Sequence, residues 1–280
     1  MTGVQTCALP ICFPVTIGSG DHKENHKEIQ RALELLKKYP NNIENVIVGN
    51  EVLLRADINE TELFAYIDFV REFTKKPITT AETWDVWERI PDLASHVDFI
   101  TIHILPYWEK VPIEQFNSFI VEKYNVVKNL FPEKQINIGE TGWPSHGYNN
   151  HNAVPGLKNQ ATAIRGFLNL AQENNWNYNI VEAFDQQWKG YDEGNVGQYW
   201  GIFTSDRELK FYLSGDIELN QYWLYQMIAA IIIGALITLY GLRNQRVNIN
   251  HALAYAIAAQ GMAFCSLCFK LFVLFFTIII

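Results

Sequence analysis

Cysteine is nearly absent from the interior of this 280-residue sequence. The four cysteines lie near the two ends, as Cys7, Cys12, Cys265 and Cys268. Residues 13–264 therefore contain neither a disulfide framework nor a thiolate metal site. Cys265 and Cys268 have C-x-x-C spacing, but in an apolar helix this spacing places both side chains on one face, which favours packing over redox or metal chemistry.

Basic clusters and glycine-rich phosphate loops are also missing. The formal net charge is −8 and Lys and Arg do not cluster, so we expect no nucleic-acid partner. Without a glycine-rich loop after a strand, the sequence does not predict a dinucleotide fold, and we expect no cofactor. His22 and His26 lie four residues apart, but no third ligand is in view, which favours an exposed helix face over a metal site.

The first twelve residues, MTGVQTCALPIC, do not form a signal peptide. They have no basic region, and their apolar run is too short. They match the translation of a common sequencing-library adapter. We therefore expect residues 1–12 to be an artefact, with the natural chain beginning upstream of Phe13.

Long apolar tracts occupy the C-terminal part of the chain. Residues 221–242 contain no charged residue and, at ~1.5 Å per residue, are long enough to cross a bilayer. Aromatic residues lie at both ends of this tract, as in interfacial belts: Tyr222, Trp223, Tyr225 and Tyr240. Residues 250–280 form a second apolar tract, long enough to include the start of a third span. The sequence predicts two transmembrane helices, and a buried helix pair is the alternative.

The charges between the two tracts predict an orientation. Arg243 and Arg246 lie in the short connecting segment. By the positive-inside tendency this loop lies in the cytoplasm, which places the residues before 221 outside it. We expect a membrane protein with an extracytoplasmic main domain and the lipid bilayer as a partner.

The chain between these ends alternates apolar strand patterns with amphipathic helix patterns. Six such units follow one another from Phe13 to Asp185. Apolar strands followed by helices are typical of a parallel α/β fold, and six units without a phosphate loop favour a (β/α)8 TIM barrel. A barrel needs eight strands, so we expect residues 13–215 to hold strands three to eight, without the first two βα units. The predicted transmembrane helices follow.

Two glutamates stand where predicted strands end. Glu51 follows the second visible strand and Glu140 the fifth, in the stretch INIGETGWPS. Active sites of such barrels collect at the carboxyl ends of the strands. One carboxyl group to protonate a leaving oxygen and one carboxylate to attack or to activate water are what cleavage of a glycosidic bond requires. Nearby aromatic residues suit sugar rings.

Each of these signals is weak by itself. A glutamate after a strand is more often a helix cap or a surface charge. Tryptophans in a barrel more often pack than bind sugars, and His103 on an apolar strand is more often a hydrogen-bonded core histidine.

Five motifs in order give the chain a resemblance to a known family. They are VIVGNEVLLR, FITIHILPYW, INIGETGWPS, VEAFDQQWK and YWGIFTSDRELK. Together they resemble glycoside hydrolase family 17, the β-1,3-glucanases, over roughly residues 13–210. The resemblance implies a (β/α)8 barrel and a mechanism that retains anomeric configuration. It also implies that Glu51 is the acid/base and Glu140 the nucleophile.

The resemblance also implies substrate contacts and electrostatics. Asn50 would donate to a sugar 2-hydroxyl, and Trp143 would form a wall for the sugar. The other expected substrate-binding residues are His103, Tyr107, Glu182, Trp188 and Lys189. In a retaining site the two carboxyl groups should lie ~5–5.5 Å apart. Glu51 should be protonated at rest, with its pKa raised by burial and by the charge of Glu140.

The combination of such a barrel with membrane helices resembles bacterial proteins described as β-(1,6)-glucan synthases or glucan transglycosylases. This implies an inner-membrane enzyme that transfers β-glucan chains, and a membrane glycosyltransferase as a further partner. Hydrolysis of β-1,3-glucan is the first alternative. A non-catalytic, membrane-anchored glucan-binding protein is the second, and the presence of both Glu51 and Glu140 argues against it.

Overall fold

The computed structural model describes residues 11–18, 22–217, 222–243 and 248–277, without the side chains of residues 11–13 and 266–277. The chain divides into two units, Met1–Ile217 and Glu218–Ile280. Most of the segment predicted to be an artefact lies outside the described residues, as does Arg246.

The first unit contains one sheet of six parallel strands in chain order. The strands are β1 Ile11–Val15, β2 Ile43–Asn50, β3 Ile78–Thr83, β4 Ile100–His103, β5 Ile136–Thr141 and β6 Asn177–Ile180. The six predicted strands and their parallel order are confirmed. Ile11 and Cys12, at the end of the suspected artefact, continue β1.

Helices connect the strands. They are α1 His22–Lys38, α2 Glu60–Phe73, α3 Trp84–Arg89, α4 Leu93–His96, α5 Phe116–Leu130 and α6 Leu157–Asn174. Two short helices follow β3, because Pro91 separates α3 from α4 and proline cannot continue a helix. Short 3₁₀ helices lie at Ile113–Gln115, Gln187–Tyr191 and Asn195–Tyr199.

The sheet is open within the described residues. There β1 pairs only with β2, and β6 pairs only with β5. Six parallel strands, the first five each followed by an α-helix, are consistent with a partial (β/α) barrel. The two further units expected before β1 stay a prediction.

Strand register places the carboxyl ends of four strands side by side. Asn50 pairs with Ala81, Thr83 with His103, and His103 with Glu140. The carboxyl ends of neighbouring parallel strands meet at one edge, so residues far apart in sequence gather there. The core below this edge is apolar, with Val48, Ile78 and other strand residues fully buried.

The second unit contains two helices, α7 Trp223–Leu242 and α8 Ile249–Thr277. Among the described residues, α7 is the one helix long and apolar enough to cross a membrane, with a mean hydropathy of 1.9. The second predicted span is helical, but the described part of α8 does not meet that standard. Gln260 of α8 donates a hydrogen bond to the carbonyl of Ala230 in α7, at 3.0 Å. Cys265 is a free, exposed thiol, so its predicted packing role stays a prediction.

Candidate active site

The end of β2 presents Glu51 from an unusual backbone conformation. Gly49 has φ +81°, and Glu51 itself has φ +54°, in the left-handed region that non-glycine residues seldom adopt. Its amide donates to the carbonyl of Ala81 on β3, at 2.7 Å. Such conformations persist only where neighbouring structure holds them, and they concentrate at functional sites.

Glu140 is presented by β5 at a point where the strand shifts register against β4. Ile102 pairs with Ile138, whereas His103, the next residue of β4, pairs with Glu140. The residue before it, Gly139, lies against β4. A Cβ at that position would lie 2.5 Å from Thr101 Cγ2 and 2.9 Å from the ring of His103. Glycine is therefore required there for β4 and β5 to approach so closely. This close approach brings the His103 ring beside the Glu140 carboxylate.

His103 lies between the two glutamates. Its Nδ1 is 2.9 Å from Glu51 Oε1 and 3.9 Å from Glu140 Oε2, and its side chain is 1% exposed. One donor atom from each of the three residues lies within 4.8 Å of the other two. One oxygen of Glu51 and one of Glu140 therefore lie within 4.8 Å of each other, so both carboxylates can reach the same substrate atom.

The charges at this site differ from the sequence expectation. Burial raises the pKa of Glu51, but the hydrogen bond to His103 and nearby positive charges outweigh burial, and the net shift is downward. Burial raises the pKa of Glu140, and the charge of Glu51 adds to the increase. Burial lowers the pKa of His103, but its contacts with both glutamates reverse this and raise it. The expected rise in the pKa of Glu51 is wrong, because His103 stabilises its charged form.

A cleft of about 310 Å³ opens over the glutamates. Its walls combine carboxylates, aromatic rings and one cation. It is lined by Glu51, Leu54, Thr83, His103, Leu105, Trp108, Glu109, Glu140, Val181, Lys189, Glu193 and Trp200. The rings of Trp108 and Trp200 stack, with centroids 6.0 Å apart. Such a cleft can hold a polar ring with apolar C–H faces.

Two aromatic residues predicted at the cleft lie in the core instead. Trp143 is fully buried, donates from Nε1 to the Val154 carbonyl at 3.1 Å and packs on Phe116. Tyr107 is also fully buried, and its hydroxyl donates to the Tyr148 carbonyl at 2.7 Å. Neither side chain lines the cleft in this structure, and their predicted contacts with sugar stay a prediction.

The remaining predicted residues fall into two groups. Lys189 lines the cleft, and its Nζ lies 3.1 Å from Glu182 Oε2, so Glu182 acts on the cleft through that ion pair. Asn50 and Trp188 do not line it. The Trp188 side chain is 58% exposed, and its Nε1 donates to Gln186 Oε1 at 2.6 Å.

Sequence reasoning missed several residues at this site. Trp108 and Trp200 form the aromatic wall that was assigned to Trp143. Glu193 lines the cleft near Lys189, where burial raises its pKa. Glu82, at the end of β3, is completely buried. Only Glu82 had a positional signal, since a carboxylate ends its strand as Glu140 ends β5.

Among the described residues, Glu51, His103 and Glu140 are the one group whose donor atoms could hold a metal ion. The hydrogen bond between His103 and Glu51 already occupies two of those atoms. The expectation that no metal takes part stays a prediction.

Comparisons with known proteins agree with this geometry. A family model described as BtgE/BtgC glycoside hydrolase domain matches residues 6–201. The chain belongs to this glycoside hydrolase family. The relatives and solved structures described below are named as β-1,3-glucan-active enzymes, as the five motifs indicated. The predicted family and the assignment as an enzyme are therefore confirmed.

Two of the named relatives are fungal. A glucan 1,3-beta-glucosidase of Saccharomyces cerevisiae is 25% identical over 73% of this chain and 73% of its own length. A probable beta-glucosidase btgE of Neosartorya fischeri is 30% identical over 57% of this chain, but only 30% of its own length. The chain therefore spans less than a third of the second relative.

Solved structures with this fold include a glycoside hydrolase family 17 enzyme. An active-site mutant of a β-1,3-glucanosyltransferase from Rhizomucor miehei, in complex with laminaritriose, is 27% identical. It has a TM-score of 0.61, and the match covers 69% of this chain and 72% of that one. An endo-laminarinase from Formosa, 21% identical with a TM-score of 0.59, covers 68% and 62% and shares the fold.

Proposed function

We propose that this chain is a retaining β-1,3-glucan-active enzyme, with Glu140 as nucleophile and Glu51 as acid/base. The observation that carries the proposal is the placement of the two carboxylates within 4.8 Å of each other in one cleft. In this mechanism Glu140 attacks the anomeric carbon while Glu51 protonates the leaving oxygen. A covalent glycosyl-enzyme then forms, and Glu51 deprotonates the acceptor that releases it.

The chemistry needs a protonated Glu51 and an ionised Glu140. In the free site the contacts with His103 lower the pKa of Glu51, and burial raises the pKa of Glu140. As positive charge develops on the sugar beside Glu140, it favours the ionised form of that carboxylate. His103 contacts both carboxylates, so the three groups titrate as one unit. Substrate binding and bond cleavage thus favour a protonated Glu51 beside an ionised Glu140.

The identity of the nucleophile can be tested directly. A 2-deoxy-2-fluoro-laminaribiosyl fluoride should label the nucleophile covalently, and peptide mass spectrometry should find the label on Glu140. A label on Glu51 would reverse the two roles, which the resting charges alone would permit. No covalent label, together with inversion of the first product observed by NMR, would overturn the retaining mechanism.

We propose that a second glucan, rather than water, accepts the glycosyl group, so that the enzyme remodels chains or forms β-1,6 branches. Trp108, 36% exposed and stacked on Trp200, offers an aromatic face for an acceptor sugar. The relative from Rhizomucor miehei is named a glucanosyltransferase. Hydrolysis is the second candidate, favoured by the fungal relatives named glucosidases.

Incubation with laminari-oligosaccharides separates these functions. Products longer than the substrate support transfer, and methylation analysis then gives the linkage formed. Shorter products alone mean that the chain is a hydrolase. Binding without turnover by the wild-type chain would favour the non-catalytic, glucan-binding alternative. Glu140→Gln, analysed in parallel, should bind the oligosaccharide without converting it.

We further propose that α7 anchors the enzyme in a membrane. The helix is 20 residues long, and only 11% of its most apolar window is buried by the protein. Arg243 follows α7 directly, and by the positive-inside tendency this end of the helix would be cytoplasmic. This supports a cleft outside the cytoplasm, where a glycosyltransferase would export glucan. Recovery of the chain in the membrane fraction after alkaline carbonate washing would support the anchor, and release by the wash would contradict it.

A further inference from the structure

We propose that Glu82 is a positioning residue that holds the backbone carrying Glu51. Glu82 is the last residue but one of β3 and is completely buried. Its Oε1 accepts a hydrogen bond from the amide of Leu53 at 2.8 Å, and its Oε2 accepts one from the amide of Leu54 at 3.2 Å. These amides follow Glu51 by two and three residues. The inference rests on the proposed role of Glu51.

Two neighbouring contacts show that β3 holds the chain on both sides of Glu51. The hydroxyl of Thr80 donates to the carbonyl of Gly49 at 3.3 Å, and the Ala81 carbonyl accepts from the amide of Glu51 at 2.7 Å. Three consecutive residues of β3 thus fix the chain before, at and after the glutamate. This explains how Glu51 persists at φ +54°, a conformation that needs support from its surroundings.

Burying the ionised carboxylate of Glu82 costs folding free energy unless its oxygens have hydrogen-bond partners. Among the described residues, no Lys or Arg nitrogen lies within 4.0 Å of Glu82, and a buried charge without a cation destabilises a fold. Leu54 is 43% exposed, so its amide could bond to water. The fold instead directs both carboxylate oxygens to two successive amides, which fixes the turn as a single side-chain acceptor could not.

Glu82 is a positioning residue and not a catalytic one, because it is not at the cleft surface. Its effect should therefore appear through Glu51. A displacement of about 1 Å in a catalytic group can cost on the order of 100-fold in rate. We expect Glu82→Gln to lower kcat/KM on unactivated laminari-oligosaccharides by roughly 30- to 100-fold, mainly in kcat. Glutamine keeps the shape but replaces one acceptor by a donor.

The leaving group of the substrate distinguishes positioning from general damage. A 2,4-dinitrophenyl β-laminaribioside needs little protonation of its leaving group. With full-length protein and saturating azide as acceptor, Glu51→Ala should therefore lose far less activity on this substrate than on oligosaccharides. Glu82→Gln should show the same pattern at smaller amplitude. The control is Glu88→Gln, an exposed glutamate on α3, which should change neither activity.

The outcomes separate the inference from the proposed function. If Glu51→Ala remains fully active, the proposed catalytic role of Glu51 fails. If Glu51→Ala is impaired but Glu82→Gln retains wild-type kcat, or loses both activities equally, the positioning role of Glu82 is wrong. If Glu82→Gln does not fold, hydrogen exchange of the wild-type protein decides. Slow exchange of the Leu53 and Leu54 amides supports the two hydrogen bonds to Glu82, and exchange as fast as in an open loop overturns the inference.

Discussion

The two strand ends that carry the glutamates are held in different ways. At β2, hydrogen bonds from β3 fix a backbone in which Glu51 has positive φ. At β5, the strand shifts register at Gly139, directly before Glu140, and the chain beyond Glu140 is held by the burial of Trp143 among aromatic rings. One end is fixed by polar contacts to its backbone and the other by apolar packing. Changes at the two ends should therefore fail differently.

The largest expected effect is loss of the carboxylates themselves. Glu140→Gln should lower kcat on the order of 10⁴-fold or more, because it removes the nucleophile. Glu51→Gln should lower it by roughly 10²- to 10⁴-fold, the usual contribution of a general acid/base. Steady-state rates on laminari-oligosaccharides measure both. Equal rescue of the two variants by an activated leaving group would contradict their different roles.

The packing at β5 should appear as stability. Trp143→Ala removes a fully buried ring and leaves a cavity, so it should lower the free energy of unfolding by about 3–5 kcal/mol. Chemical denaturation measures this loss. Trp188→Ala, at a side chain 58% exposed, is the matched control and should change the stability little. A small loss of unfolding free energy for Trp143→Ala, together with a raised KM, would support the predicted contact of Trp143 with the sugar.

The catalytic glutamates and Trp143 show which features of the site the sequence could predict. Glu51 and Glu140 were identified because a carboxylate after an apolar strand is unusual and the strand ends of a barrel meet. The side of the barrel on which Trp143 lies could not be read. It follows the end of β5, where strand alternation stops, so a tryptophan beside the nucleophile has the same sequence signature in the core as in the cleft. Trp200 lies in an irregular segment with no periodicity.

Protonation was beyond sequence reasoning for a related reason. The pKa of Glu51 depends on a contact of 2.9 Å with His103, which is 52 residues away in the chain. Strand counting places both residues at one edge of the sheet. It does not show which carboxylate the imidazole contacts more closely, because that follows from side-chain geometry and from the close approach that Gly139 permits.

The buried Glu82, which accepts hydrogen bonds from the amides of Leu53 and Leu54 after β2, should make the stability depend on pH. Burial is the main cause that raises the pKa of Glu82 from 4.5 to about 7, so its contribution to stability is present below 4.5 and is lost as pH rises through about 7. Glu82→Gln lacks this group. Relative to wild type, the variant should gain on the order of 2 kcal/mol between pH 4.5 and 8. Parallel stability curves for the two proteins would contradict a titrating Glu82; Glu51 and His103, which face it, remain in both.

The smallest expected effect concerns His103, which joins the two ends. His103→Gln keeps a polar side chain but removes a positive charge that lowers the pKa of both Glu51 and Glu140. Both pKa values should rise. Each limb of the kcat/KM profile reports one titration of this coupled pair of carboxyl groups, and both pKa values rise. The whole profile should therefore move to higher pH, with a loss of about tenfold at the original optimum. If only one limb moves, His103 acts on one glutamate alone, and the coupling of the two strand ends through its ring is wrong.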